Sequence, residues 1–342
     1  MKRVLLINRN DFRAKDGATK SLFQLYHSLP QFGIKTDFIK LKYRGRFKLL
    51  AKWNLKIKIL RADAIILNGS AVALEPLILD IIQFVKKYNK ATYFYFRENH
   101  LQLNKYFPEL LKKEQQYWLQ TLAQETYIKH WFVSHYSKKS FQTFFQTDER
   151  NSVVVYNGVQ SIHSANKYKL NEKAQHTIAI IGSIQAMKGY DFLVRFAKSM
   201  HSLLPTVQFI WYGKGNQKEN FINLIQEADA SAYIQIIEYS PLEKIMHHAK
   251  AVFVCSEAES FSRVAIEALQ FQKKLFVRAC LEGTIEITKG VGMAVNEEWN
   301  EQDMQTYVQY LLDTSTNEEL LQIVEQYNMK NHCQRILKAI EN

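Results

Sequence analysis

The sequence predicts an α/β protein made of two doubly wound, Rossmann-like domains. Short apolar, β-branched runs alternate with amphipathic stretches of helical period along most of the chain. This alternation is typical of parallel sheets that carry helices on both faces. The chain also has 342 residues, of which 47% are hydrophobic. That is enough material for two domains of ordinary size, each with its own core.

The predicted strands form two series. A parallel strand that is buried on both faces reads as a continuous apolar run, and this is the pattern seen here. The first series comprises residues 4–8, 64–67, 92–96, 131–134 and 153–156, and the second 177–181, 207–212, 233–237, 251–255, 275–278 and 293–295. The clearest helices between them are predicted over 18–29, 75–88, 190–204 and 263–271.

A polar segment, residues 157–176, separates the two series and opens with Asn157-Gly158. The domain boundary is therefore predicted there, with an N-terminal domain over 1–160 and a C-terminal domain over 161–325. Helices are predicted over 302–312 and 318–340 after the last strand. The final helix is long enough to leave the second domain, so residues 326–342 are expected to return to the first.

Cysteine content and hydropathy indicate a cytoplasmic protein. The three cysteines, Cys255, Cys280 and Cys333, show no C-x-x-C spacing, which argues against a disulfide framework or a zinc site. No run approaches the roughly 20 apolar residues of a membrane span. The apolar stretch at the N-terminus is too short for a secretory signal.

The charge is strongly basic and unevenly distributed. Lysine and arginine number 45 against 33 acidic residues, giving a net charge of +12, which favours anionic partners. Residues 40–61 contain no acidic side chain and interleave cations with large apolar residues. One interpretation is a helix at an anionic membrane or polyanionic acceptor, which would place the protein at the inner face of the membrane. The other is a solvated helix with a half-buried apolar stripe. Nucleic acid is not expected as a partner, because the aromatic residues fit no single-strand module.

A glycine turn follows the first strand of the second domain. Gly182-Ser183 ends that strand, and Lys188-Gly189 precedes the next helix. Ligands of doubly wound sheets bind at the carboxyl ends of strands, and a lysine near a helix N-terminus suits a phosphate. An ordinary turn with a solvated lysine explains the pattern equally well. The same holds for the next glycine turn, residues 213–215, which a positive φ alone would explain.

Two glutamates follow the strand over 251–255. If a helix begins near Ser262, the backbone N–H groups of residues 260–262 have no helical partner, and they could bind a sugar hydroxyl or a phosphate oxygen. Glu267, in the second turn, can accept two hydrogen bonds from vicinal hydroxyls such as those of a ribose. Alternatively, Glu259 is a charge near the helix N-terminus that the helix dipole stabilises, and Glu267 is an ordinary surface residue of the helix.

The order and spacing of these segments closely resemble glycosyltransferase family 4. That family carries E-x-F-G-x-x-x-x-E, and the corresponding run here is Glu259-Ser260-Phe261-Ser262-Arg263-Val264-Ala265-Ile266-Glu267. The family's donor loop, G-x-G turn, interdomain N-G-V, G-T-x-E turn and N-terminal glycine loop resemble residues 182–189, 213–215, 157–159, 283–286 and 16–22. The likeness covers nearly the whole chain. It is strong over 177–295 and weak over 30–130.

The resemblance implies a GT-B fold, with two Rossmann-like domains facing across a cleft. It implies a retaining, metal-independent hexosyltransferase that uses a nucleotide-sugar donor, expected to be a UDP-sugar, and no other cofactor. Consistently, the sequence has no D-x-D pair. The acceptor is expected to be a glycan, a lipid-linked sugar or a cell-surface polymer.

The resemblance also assigns roles. Lys188 would offset charge on the leaving diphosphate and Glu259 would hold the sugar, so these two are the catalytic candidates. The donor-binding candidates are Gly17, Gly182, Ser183, Lys188, Gly213, Ser260, Phe261, Ser262, Arg263 and Glu267, and the acceptor-side candidates are Arg97 and Glu98.

The chain departs from the family pattern at several positions. Ser183 stands where many relatives have Arg, Ser262 replaces a glycine, and Arg97 stands in place of a histidine, while Gln272 and Lys274 stand where Gly and Pro are frequent. Two other hypotheses are therefore open. One is a catalytically weakened GT-B protein that serves as a partner subunit or glycan-binding module. The other is a nucleotide-sugar epimerase, against which the paired glutamates argue.

Overall fold

The computed structural model describes residues 2–13, 17–42, 47–100, 105–106, 113–146, 151–162, 174–315 and 319–341. The chain divides into two compact units. The first comprises Met1–Gln160 and Tyr327–Asn342, and the second comprises Ser161–Gln326. Each unit contains a six-stranded sheet in which all paired strands are parallel. The predicted α/β class with two doubly wound sheets is therefore confirmed.

The first unit is built on the strand order β2-β1-β3-β4-β5-β6. These strands are β1 Arg3–Asn8, β2 Lys35–Lys40, β3 Ala64–Asn68, β4 Ala91–Phe96, β5 Ile128–Phe132 and β6 Ser152–Val154. The helices are α1 Gly17–Ser28, α2 Phe47–Arg61, α3 Leu77–Lys87, α4 Lys113–Gln124 and α5 His135–Phe145, with 3-10 turns at Leu29–Phe32 and Ser70–Leu74. Central strands such as β3 are buried along their whole length, which explains their continuous apolar sequence.

Strand β2 is absent from the sequence-based prediction. Among the described strands it pairs with β1 alone and forms an edge of the sheet, where most of its residues are partly exposed. Such a strand needs few apolar side chains. Its sequence, KTDFIK, therefore lacks the continuous apolar run by which the other strands were found.

The second unit has the strand order β12-β11-β10-β7-β8-β9. The strands are β7 Thr177–Ile181, β8 Gln208–Tyr212, β9 Ile234–Ile237, β10 Ala251–Val254, β11 Lys274–Arg278 and β12 Met293–Val295. The helices are α6 Tyr190–Leu203, α7 Lys218–Glu227, α8 Leu242–His247, α9 Arg263–Gln270, α10 Glu282–Thr288, α11 Glu301–Leu312 and α12 Glu319–Gln326, and a 3-10 turn covers Ala186–Lys188. All six strands of the second predicted series are present. Their core is rich in aromatic side chains, with Phe192, Phe196, Phe253 and Phe276 fully buried.

The single helix predicted over 318–340 is wrong in one respect, because the chain forms α12 and then a separate helix, α13, Met329–Glu341. At the break, Asn328 forms an isolated parallel bridge with Val159, and the Val159 N–H donates to the carbonyl of Tyr327 at 2.7 Å. The Asn328 side chain accepts from the N–H of Asn331 at 2.8 Å. It therefore satisfies a backbone donor at the start of α13, as an N-cap residue does.

Among the described residues, no helix is both long enough and apolar enough to cross a membrane.

Candidate functional site

The loops after β7 and β10 are tied together at the carboxyl edge of the second sheet. The two strands are neighbours, and both loops leave from the same edge. The Glu257 N–H donates to the carbonyl of Met187 at 2.9 Å, and the Cys255 thiol donates to the carbonyl of Lys188 at 3.3 Å. The donor loop over 182–189 and the start of the paired-glutamate segment therefore form one connected surface.

Lys188 and Glu259, the two catalytic candidates, meet on this surface. The Lys188 ammonium donates to Oε1 of Glu259 as an ion pair, and the Ser256 hydroxyl donates to the same oxygen at 3.2 Å. The two side chains retain 24% and 21% of their exposure, so a ligand can reach them. Both line a pocket that also includes Gly182 and Ser262.

Two glycines allow the loops to approach this closely. Gly189 has φ +70°, and a Cβ there would lie 2.1 Å from the carbonyl oxygen of Cys255. A Cβ on Gly213 would lie 1.8 Å from the carbonyl oxygen of Gly182. Any side chain at either position would separate the backbones. Gly213 therefore has a packing reason to be glycine, whether or not it contacts a donor.

Helix α9 presents the second glutamate. Ser262 is its N-cap, with φ −76° and a side chain that accepts from the Ala265 N–H at 3.3 Å, so this position does not need the family's glycine. Arg263 and Glu267, one turn apart, form an ion pair at 3.4 Å, and each side chain is only 10% exposed. The interpretation of Glu267 as an ordinary surface residue is therefore wrong.

Between Glu259 and Arg263 in sequence, Ser260 carries a buried hydroxyl that has no partner among the described residues. The Ser260 Oγ makes no hydrogen bond to any described residue, although Ser260 is only 5% exposed. Gly283 packs closely against this backbone, since a Cβ on that residue would lie 2.7 Å from the carbonyl oxygens of Glu259 and Ser260. Phe261 is also buried. An unsatisfied buried hydroxyl is costly, which makes Ser260 a natural point for a ligand hydrogen bond.

Sequence reasoning missed Arg278, at the end of β11. Its guanidinium donates to both carboxylate oxygens of Glu297, at 2.7 and 2.6 Å, and lies 4.2 Å from the ring centroid of Phe192. Its Nη1 would be 3.2 Å from a Cβ at Gly189, so it packs against the donor loop. The available signal was a basic residue that ends an otherwise apolar buried strand.

Cysteine chemistry is not indicated at this edge. Burial raises the pKa of the Cys255 thiol to about 12 and that of Cys280 to about 11. Both are therefore protonated near neutral pH and poor nucleophiles. Within the described ranges, no group of three or more His, Cys, Asp or Glu side chains is placed to hold a metal ion. Metal independence stays a prediction.

In the first unit, polar side chains at the carboxyl edge of the sheet bond to one another. Asn68 donates to Oδ1 of Asn8 at 3.0 Å. Arg97, one of the acceptor-side candidates, donates to the side-chain oxygens of Asn68 and Asn157, and its guanidinium lies 4.2 Å from the Tyr95 ring centroid. These asparagines were not predicted, because they are 60 and more residues apart in sequence.

Glu98, the other acceptor-side candidate, accepts three hydrogen bonds. Its carboxylate accepts from the Ser70 N–H at 3.0 Å, the Ser70 hydroxyl at 3.3 Å and the Arg97 N–H at 3.0 Å. Burial raises the pKa of this carboxyl. The Ser70 hydroxyl also bonds to Nε2 of His100 at 2.8 Å, and burial lowers the pKa of His100 to about 3.

Some predicted positions carry less structural information. Gly17 begins α1 in the first unit, and no atom lies within 4 Å of a Cβ built there; its contact with a donor stays a prediction. Ser183 is exposed. Asp16 of the predicted glycine loop, and Arg44 and Arg46 of the basic segment, lie outside the described residues.

The second unit resembles a known protein family. Residues 163–331 match the model of a protein family described as "Glycosyl transferases group 1". This segment is similar to the glycosyltransferase group 1 domain. The predicted kinship with glycosyltransferases is therefore confirmed, while membership of family 4 and a retaining mechanism stay predictions.

Solved structures extend the likeness to the whole chain. HepE from Anabaena, in complex with UDP and glucose, has a TM-score of 0.74 at 14% identity and covers 100% of both chains. Sucrose-phosphate synthase from Thermosynechococcus elongatus has a TM-score of 0.74 at 15% identity and covers 100% of this chain and 98% of the other. At these identities the likeness establishes the fold, which is the predicted GT-B fold.

The sequence alignment with a curated protein covers a smaller part of the chain than the structural matches do. A glycosyltransferase of Haemophilus influenzae is 23% identical over 138 residues, and the alignment spans 39% of each protein. The match thus covers about two-fifths of that relative's length.

Proposed function

We propose that this protein is a retaining, metal-independent hexosyltransferase that takes a sugar from a nucleoside-diphosphate donor, with UDP as the expected nucleotide. Its acceptor would be a glycoconjugate, a lipid-linked sugar or a surface polysaccharide. The observation that carries the proposal is the Lys188–Glu259 ion pair beside the donor loop of a segment similar to the group 1 domain. The UDP and glucose bound in the structurally similar HepE support this choice of donor class.

The proposed chemistry is stabilisation of the leaving group. Breaking the anomeric bond builds negative charge on the diphosphate while the sugar becomes oxocarbenium-like. The Lys188 ammonium would move from Glu259 to a phosphate oxygen, which is a charge-assisted contact. This exchange would free the Glu259 carboxylate to accept hydrogen bonds from the sugar hydroxyls. Ser260 would satisfy its buried hydroxyl on the same ligand.

The nucleoside would be held by Glu267. Its carboxylate can accept from the two ribose hydroxyls, and Arg263 supplies the countercharge that a largely buried carboxylate requires. Tyr239 follows β9 and lies within electrostatic reach of this carboxylate, since burial and then the charges of Glu267 and Glu243 raise its pKa. Gly182, Ser183 and the N-terminus of α1 at Gly17 remain proposed contacts of the diphosphate.

A second candidate function is a partner subunit or glycan-binding module with weakened catalysis. Two observations favour it. Ser183 offers no cation where many relatives have Arg, and Arg97 is engaged in an internal network. Ser262 does not favour it, because this serine caps α9.

A panel of nucleotide sugars decides between the two. The protein is titrated calorimetrically with each donor, and release of nucleoside diphosphate is measured with and without a chelator. Transferase function predicts binding and slow donor hydrolysis that the chelator does not reduce. Protein that neither binds nor hydrolyses any donor would support the partner function. The anomeric configuration of a transferred product, read by NMR, would test retention.

Substitutions locate the site. Lys188→Ala and Glu267→Ala should each weaken donor binding or turnover by about 1.5–3 kcal/mol, roughly 10- to 150-fold, because each removes a charge-assisted contact. Lys198→Ala, at an exposed position of α6, is the matched control and should behave as wild type. Wild-type turnover in both site variants would reject the assignment.

We also propose a cytoplasmic location. The three free cysteines support it, because thiols stay reduced in the cytoplasm.

A further inference from the structure

Helix α2 has two apolar faces, whereas a helix that covers a sheet needs only one. The inward face consists of Ala51, Leu55 and Ile59, which are 6%, 1% and 0% exposed. Leu55 and Ile59 belong to the core of the first unit. This face is sufficient to anchor the helix on its sheet.

The second apolar face points away from the core. It consists of Leu49, Leu50, Trp53, Ile57 and Leu60, which are 74%, 68%, 67%, 41% and 43% exposed. At 100° per residue these five positions fall within one arc of about 100°, opposite the buried face. We call them the outer stripe. The stripe is exposed in the structure. The interpretation of α2 as a solvated helix and its interpretation as a membrane-binding helix therefore both stay open.

Cations border the outer stripe on both sides. On the helical wheel Lys56 falls beside one edge and Arg61 beside the other, and the Lys56 ammonium lies 5.9 Å from the centroid of the Trp53 ring. Lys52 and Lys58 are tied to the protein instead. The first pairs with Asp80 at 2.5 Å, and the second donates to a backbone carbonyl, that of Phe38, at 2.9 Å.

An open hollow adjoins Leu49 at one end of the stripe. Leu41, Pro76 and Leu77 contribute its apolar lining, and Lys52, Glu75 and Asp80 contribute charged side chains. A contiguous exposed apolar stripe that is bordered by charge is typical of an interaction site.

We propose that the outer stripe inserts into the interface of an anionic lipid bilayer, with α2 lying parallel to the membrane surface. Leucine, isoleucine and an exposed tryptophan match the acyl and headgroup boundary. Lys56 and Arg61 then face anionic headgroups, and residues 40–61 carry no acidic side chain to oppose them. A second copy of this chain would place cations against cations. The surface is defined without reference to sugar transfer, so its test is independent of that activity.

Vesicle sedimentation tests the proposal. Wild-type protein should bind vesicles of phosphatidylcholine and phosphatidylglycerol, bind pure phosphatidylcholine at least 10-fold more weakly, and dissociate as salt is raised. The double variant Trp53→Glu/Ile57→Glu should lose binding at least 10-fold, and the milder Lys56→Gln/Arg61→Gln should lose severalfold. Leu321→Glu, which alters a 54% exposed leucine of the second unit, should bind as wild type. Circular dichroism checks that each variant is folded.

Several outcomes would overturn the proposal. They are a wild type that does not bind anionic vesicles, stripe variants that bind as well as wild type, or equal binding to neutral vesicles. A wild-type dimer in light scattering that the stripe variant converts to monomer, with no vesicle binding, would assign the stripe to self-association instead. Binding of an acidic protein partner in place of vesicles would reject the bilayer in the same way.

Tryptophan fluorescence gives a second, direct readout. Trp53 is 67% exposed, whereas Trp118, Trp131 and Trp211 are at most 7% exposed, and Trp299, in the second unit, is partly buried against its core. Anionic vesicles should therefore shift the emission of Trp53 to shorter wavelength, and brominated lipids should quench it. Trp53→Phe should abolish both signals yet still sediment with vesicles. Persistence of the shift in that variant would show that another tryptophan reports, against the proposed orientation.

Discussion

At the residue scale, Gly189 and Gly290 offer a matched comparison. Their φ values are +70° and +72°, but only at Gly189 would a Cβ meet the backbone, 2.1 Å from the Cys255 carbonyl oxygen. Gly290→Ala should cost about 1–2 kcal/mol of unfolding free energy, from backbone strain alone. Gly189→Ala should cost about 1–3 kcal/mol more and weaken donor binding, because the Lys188 loop must move. Denaturant unfolding measures both, and equal losses would contradict the close approach.

Gln272 illustrates the opposite situation, in which glycine is missing. It lies in the turn between α9 and β11 with φ +54°, a left-handed conformation that favours glycine. Its side chain is exposed, so little packing is lost on substitution. Gln272→Gly should therefore raise the free energy of unfolding by about 0.5–1 kcal/mol. Gln272→Ala retains the strain and should show no such gain. Thermal unfolding compares the three proteins.

Site residues that lie close together in sequence were predictable. Site residues that the fold brings together from distant parts of the chain were not. The spacing from Glu259 to Glu267 survives in one loop and helix, so the sequence indicated it directly. Arg278 reaches the donor loop only because β11 is two strands from β7 in the folded sheet. No local pattern records such an approach.

At the element scale, burial decided which elements the sequence revealed. The strands of the second unit are mostly buried and appear as apolar runs, whereas β2 is an edge strand and was missed. Helix α2 was identified as basic and amphipathic, but its two apolar faces are distinguishable only once the buried one is known. The break between α12 and α13 depends on pairing with Val159, 169 residues away along the chain, which helical periodicity does not register.

The segment after β4 carries a pH-sensitive element. Burial lowers the pKa of His100 to about 3, whereas an unfolded histidine titrates near 6.5. Between these values the unfolded chain binds the extra proton, so stability is present above about pH 6.5 and is lost as the pH falls toward 3. His100→Gln, which retains a hydrogen-bonding group near Ser70, should lose about 1–2 kcal/mol less than wild type between pH 7 and 4.5. Urea unfolding at both pH values measures this, and parallel losses would contradict a buried neutral His100.

At the scale of the whole molecule, the last 16 residues belong to the first compact unit although they follow the second in sequence. The side chains of Cys333 and Ile336 are fully buried. The hydroxyl of Tyr93 donates to the carbonyl of Ile340 at 3.3 Å, and the His332 ring bonds to the carbonyl of Tyr156 at 2.7 Å. The first unit is therefore incomplete without residues 327–342.

This arrangement predicts an asymmetric response to truncation. Deleting residues 327–342 removes buried apolar side chains, each worth about 1.5–3 kcal/mol, from the first unit and none from the second. Hydrogen exchange should show loss of protection in β1, β4 and α1, while β7, β8 and α6 keep theirs. Ile336→Asp should reproduce the pattern without shortening the chain, and Lys338→Asp, at an exposed position of α13, should leave both units unchanged. Equal loss of protection in both units would mean that they unfold as one cooperative body.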